Sequence, residues 1–129
     1  MSEENVDLVR AIIAAVPDWA RVRSMLHPDV RLDEHRMPDG GVYRGREEFG
    51  RFFQRWFGTW DDLRLTTERI SEHDDRVLVF LRVEGRGKGS GVPVVIHSAD
   101  IWTIRDGQIA SLEGFPDRAD ALEVMGLSD

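Results

Sequence analysis

Asp100 is the residue of this sequence whose setting most favours chemistry. It lies in a stretch, residues 92–104, dense in Val, Ile and Trp, that reads as a strand. Side chains alternate along a strand, so Ile96, Ser98, Asp100, Trp102 and Ile104 share one face. Val95, His97, Ala99, Ile101 and Thr103 share the other. Trp102 and Ile104 have core character, which carries Asp100 inward with them. A carboxyl in an apolar wall costs on the order of several kcal/mol to keep ionised and unpaired, so it holds its proton to higher pH or meets a partner. A second carboxyl, Asp33, stands in the early apolar run Val30-Arg31-Leu32-Asp33, and His35, two positions on, shares its face. The structural alternative for both aspartates is an ion pair, with Arg31, Arg36, Arg82 and Arg105 as candidates.

Other chemistries find less support. The four histidines, His27, His35, His73 and His97, are scattered without ligand spacing, so no metal site is expected. A carboxylate metal site from Asp33, Glu34 and Asp100 is the weaker alternative. Residues 85–91 alternate glycines around Lys88 but join two strands, where a phosphate loop would lead into a helix. No serine sits on a recognisable nucleophile elbow, and there is no cysteine to act as nucleophile, thiolate ligand or disulfide.

The elements that must position these groups follow from periodicity. Ser2 is the expected cap of a first helix, with Glu3 and Glu4 in its first turn and Val6, Val9, Ile12, Ile13 and Val16 on one stripe. Asp18 caps a short second helix bearing Trp19, Val22, Met25 and Leu26. A strand is expected over 30–35, followed by a turn-rich loop, Met37-Pro38-Asp39-Gly40-Gly41. The third helix carries Phe49, Phe52, Phe53, Trp56 and Phe57 at i, i+3, i+4, i+7 and i+8, a spacing that asks for a large apolar surface to cover it. Strands are then expected over 63–70, 77–84, 92–104 and 109–115, the last pair joined by an Asp106-Gly107 hairpin. Asp117 caps a short C-terminal helix that stops at Gly126. Early helices followed by antiparallel strands mean an α+β fold, here one domain over 1–129.

Composition bounds the partners. Against 17 Lys+Arg stand 24 Asp+Glu, a net charge of −7, which lacks the basic footprint that nucleic acid or an acidic membrane requires. No apolar run is long enough to span a bilayer, and the acidic N-terminus is unlike a signal peptide, so a cytoplasmic protein is expected.

Tyr43-Arg44-Gly45-Arg46-Glu47-Glu48-Phe49, the strand-turn-strand Trp102-Thr103-Ile104-Arg105-Asp106-Gly107-Gln108-Ile109, and the helix order together resemble the SnoaL-like branch of the nuclear transport factor 2-like superfamily. The resemblance covers essentially the whole chain. It implies a conical fold in which a strongly curved, mostly antiparallel sheet and three N-terminal helices enclose a pocket. It also implies a homodimer through the outer sheet face. Ketosteroid isomerases, polyketide cyclases, dehydratases, epoxide hydrolases and plain binding modules share this fold, so fold alone does not choose a function. By analogy with the isomerases, Asp33 falls on the general base and Asp100 on the protonated donor to the oxyanion, a pairing that works without cofactor. The tyrosine of the isomerases' first helix falls on Ala11, which speaks against steroid isomerisation itself, and the one tyrosine, Tyr43, lies in a loop before the third helix. The expected pocket wall comprises His35, Phe53, Trp56, Trp60, Ser98, Trp102 and Leu112, with core packing as the alternative for Trp56. The expected ligand is a small hydrophobic molecule, bound either by an isomerase- or cyclase-type enzyme or by a non-catalytic module of the same fold.

Overall fold

The computed structural model describes residues 2–38 and 40–128. The Ser2 side chain and Asp39, to which the sequence assigned a cap and a turn, lie outside the described residues. Helix α1 spans Ser2–Ala15 and buries Val9 and Ile12. Asp18 caps α2 (Trp19–Ser24) as expected, accepting the Arg21 N–H.

Strand β1 runs Leu26–Asp33 and so begins well before residue 30, taking Leu26 away from the second helix. The reason is tertiary pairing: Ile109 N–H donates to Met25 O, and the Arg46 guanidinium to Leu26 O, which draws this segment into the sheet. A three-residue strand, β2 (Val42–Arg44), follows where only loop was expected, and leads into α3 (Gly45–Phe57). Then come β3 (Trp60–His73), β4 (Arg76–Gly87), β5 (Pro93–Arg105) and β6 (Gln108–Phe115). Asp106 and Gly107 turn the last hairpin with φ of 55° and 74°, the left-handed pair that matches strand twist. Helix α4 (Arg118–Met125) is capped by the Asp117 side chain and stops at Gly126.

The six strands form one open, curved sheet in the order β2-β1-β6-β5-β4-β3. All neighbours are antiparallel except β1 and β6, so β6 slots between the first long strand and β5. This is the α+β architecture expected. The inner face meets α1, α2 and α3 in the main core, around Val30, Leu32, Phe49, Val79, Leu81 and Trp102. On the outer face α4 covers Leu78, Ala99, Ile101 and Phe115. Arg118 fastens α4 there: its guanidinium donates to Ser98 O, Leu81 O and Glu68, and lies 4.8 Å over the Phe80 ring.

The aromatic stripe of α3 does not pack solid. Phe49 is buried to 2% exposure, whereas Phe52, Phe53, Trp56 and Phe57 are only partly buried. The apolar surface facing that helix is a cavity wall.

Candidate functional site

A cavity of about 530 Å³ lies between the inner face of the sheet and the three helices. That volume suits a small organic ligand. Its upper wall is aromatic: Trp19 stacks on Phe53 at 6.5 Å and meets Phe57 edge-on at 5.5 Å, and Tyr43 packs on Phe52 at 5.1 Å. Its floor is the sheet.

On the floor, Ile96, Ser98, Asp100 and Trp102 all line the cavity, so the alternation of β5 holds as expected. His97 points to the outer face, where it lies 3.7 Å from Glu68. Among the described residues the Asp100 carboxyl has no ion pair or hydrogen bond, and burial pushes it up to about 7.

The second carboxyl in the cavity is Glu34, and this corrects the reading of β1. Val30 and Leu32 are fully buried on the inner face, and Glu34 continues their parity. Asp33 therefore turns the other way and does not line the cavity. It is held 3.3 Å from Arg31 and 2.5 Å from His35 Nδ1, and also accepts the His35 N–H. Burial alone would raise the Asp33 carboxyl, but hydrogen bonds from His35 and the charges of His35 and Arg31 outweigh it and hold it below the ordinary range. Asp33 thus has the arginine partner of the structural alternative.

Glu34 has none. Its residue is 6% exposed and its Oε1 is buried without a hydrogen-bond partner. Burial, then the charge of Asp100, then that of Asp33 push its carboxyl up to about 8. Gly114 is what makes room for it. In the sheet, Leu32 and Asp33 pair with Leu112 and Glu113, and Gly114 pairs with Asp100, so Gly114 sits between the two acidic positions. A Cβ at Gly114 would overlap Glu34 Oε1, at 1.9 Å. The bare glycine lets the Glu34 carboxyl lie over β6 towards Asp100, across roughly two strand spacings of about 4.8 Å each.

Of the other residues expected at the wall, Phe53, Trp56, Ser98 and Trp102 line the cavity, and His35, Trp60 and Leu112 do not. His35 is exposed on the Asp33 side because it follows the same parity. Trp60 begins β3 and packs edge-on against Trp56, behind the wall. Leu112 lies in β6 between Leu32 and Trp102 and is enclosed in the core at 2% exposure. Tyr43 was missed: β2 pairs it with Leu32, which brings its ring to the inner face and the cavity. Ala11 is exposed. Among the described residues no group of three or more His, Asp or Glu side chains is arranged to hold a metal ion, since Asp33 stands apart from Glu34 and Asp100.

Among solved structures, a protein from Jannaschia sp. CCS1 provisionally assigned as a SnoaL-like polyketide cyclase superposes with a TM-score of 0.80. It is 22% identical, over 100% of this chain and 96% of that one. TerC co-crystallised with polyporic acid gives 0.76 at 24% identity, over 95% and 98% of the two chains. A hypothetical protein with a ketosteroid isomerase-like fold from Catenulispora acidiphila DSM 44928, in complex with trimethylamine, gives 0.75 at 20% identity, over 94% and 93%. These likenesses establish the fold. No curated protein sequence matches the chain significantly. The model of the SnoaL-like domain matches residues 8–112, most of the sequence, from within α1 to within β6. The chain belongs to the SnoaL-like domain family.

Proposed function

We propose that this protein binds a small hydrophobic molecule in the cavity and acts on it as a cofactor-independent acid–base enzyme of the isomerase or cyclase type. The observation that carries this reading is the pair Glu34 and Asp100, two carboxyls in one apolar cavity without cationic partners among the described residues. Near neutral pH such a pair shares protons between its members. Asp100, with the lower proton affinity and some exposure, is the carboxylate that removes a proton next to a carbonyl. Glu34 keeps its proton and donates a hydrogen bond to the oxygen on which charge develops. The roles differ from those the isomerase analogy gave, because Glu34 replaces Asp33 and is the more deeply buried of the two. Two proteins of similar fold, one co-crystallised with polyporic acid and one in complex with trimethylamine, support the small-molecule reading.

The test uses 2-tetralone, an apolar bicyclic ketone, and follows loss of its α-proton signals in D2O by NMR. Exchange above the buffer rate, lost in Glu34→Gln and in Asp100→Asn, supports the reading. A thermal shift with 2-tetralone and no exchange gives the second reading, a binding module without chemistry. The exposed Ala11, where the isomerases place a second oxyanion donor, favours that one. A homodimer is part of the proposal, through the outer sheet surface that α4 leaves open, where Val95 is 50% exposed. Sedimentation equilibrium tests it, and a monomer at every concentration removes it.

A further inference from the structure

The cavity has an unbalanced electrostatic composition. Among the described residues its wall carries two carboxyls, Glu34 and Asp100, and one cationic group, Arg55, which is exposed on α3 and ion-paired with neither. The other charges near the pair are already matched or turned away. Asp33 is held by Arg31 and His35, and Arg36 pairs with Glu113 at 2.7 Å. Across from Asp100 stand Val79 on β4 and Gly114 on β6, neither of which carries charge. The helices add Ile12, Ile13 and Trp19, and β2 adds the Tyr43 phenol.

The same cavity is lined by the aromatic rings of Trp19, Phe53, Trp56 and Phe57. The π-face of an aromatic ring attracts cations, the more so away from water. A buried acid pair lacks only a positive charge to become fully ionised. We propose that the ligand class this cavity selects is a hydrophobic amine, bound as its ammonium form with the nitrogen at Glu34 and Asp100 and its apolar body against the aromatic wall. This rests on the hydrophobic-ligand part of the reading above; an ammonium that ionises both carboxyls takes them out of their acid–base roles, so the amine binds in place of a ketone substrate. Binding is linked to protons: as pH rises from 6 to 8 the pair gives up protons, and affinity for a cation rises with it.

Three probes share one hydrocarbon cage and differ in head group: 1-adamantylamine, 1-adamantanol and 1-adamantanecarboxylate. The amine remains protonated throughout this pH range, so any pH dependence belongs to the protein. Calorimetry at pH 6, 7 and 8 is expected to show the amine gaining at least tenfold in affinity across the range while the alcohol stays flat. At pH 8 the amine should bind at least tenfold more tightly than the alcohol, and the carboxylate most weakly. Glu34→Gln with Asp100→Asn should abolish the amine's advantage over the alcohol, and an unchanged circular dichroism spectrum shows that the variant is folded. Either single variant should lose part of the advantage. Alcohol binding with no preference for the amine overturns the amine inference and leaves the hydrophobic pocket standing. Binding of none of the three overturns both.

Discussion

Glutamine in place of Glu34 isolates the cost of burying that carboxyl. In the unfolded chain a glutamate ionises near 4.5, and in the folded protein Glu34 does so at about 8. Between these values the folded state keeps a proton that the unfolded state has released, so stability falls as pH rises and levels off above pH 8. At about 1.4 kcal/mol per unit, the penalty is about 3 kcal/mol at pH 7 and approaches about 5 kcal/mol above pH 8. Glutamine carries no such proton, and the cost of its own buried amide does not depend on pH. Asp100 acts in the same direction and remains in the variant, so the informative quantity is the difference between the two proteins. For a chain of this size 1 kcal/mol moves Tm by about 4 °C, so Glu34→Gln should gain on the order of 10 °C relative to wild type between pH 5 and pH 7. Thermal melts from pH 4.5 to 8.5, followed by circular dichroism, measure it. A difference in Tm that does not change with pH refutes the reasoning, because it means that Glu34 ionises in the folded protein as it does in the unfolded chain.

Gly114→Ala places a methyl group where the Glu34 carboxyl lies, and should cost roughly 1–3 kcal/mol. It should also erase the pH-dependent gain of Glu34→Gln when the two are combined; an unchanged denaturation midpoint argues that the carboxyl is not seated over β6. Asp33→Asn removes the charge, and one of the two oxygens, that Arg31 and His35 hold, and should cost roughly 1–3 kcal/mol at pH 7. Because the folded Asp33 carboxyl is held below its ordinary value of 3.8, that loss should fade as pH falls through the acid range, and exchange of 2-tetralone should be unaffected. Loss of exchange in this variant alone would return the base to Asp33. Arg118→Ala frees the Ser98 and Leu81 carbonyls and should loosen α4, seen as faster hydrogen exchange of the amides of residues 118–125, with the aromatic wall unaltered.

Patterns with a strict period were legible in the sequence. The β5 alternation located Ser98, Asp100 and Trp102, and the caps Asp18 and Asp117 stood at their helices. Glu34 was equally accessible by the same rule, since Val30 and Leu32 point where it points, but the analogy with a homologous base took the neighbouring aspartate. In a strand a slip of one residue reverses the face, so a borrowed alignment is least safe where the period is two. What the sequence did not display depends on distant partners. Tyr43 reaches the cavity because β2 pairs with β1, and Gly114 becomes a notch only when β1 and β5 flank it. The aromatic spacing on α3 announced an apolar neighbour, and could not distinguish packed side chains from empty space.

The parallel pairing of β1 with β6 also has a kinetic consequence. It joins Leu32 to Leu112, positions far apart along the chain, and such closures cost entropy before any contact rewards them. The hairpins β3–β4, β4–β5 and β5–β6 involve short loops and can form early. Insertion of β6 beside β1 is then the late event that unites the two ends of the topology. Until it happens, Glu34 and Asp100 belong to separate, solvated parts of the chain and titrate as ordinary acids. A refolding experiment followed at once by tryptophan fluorescence and by proton uptake from a weakly buffered dye solution would therefore show the uptake in the slowest phase, as the floor of the cavity closes.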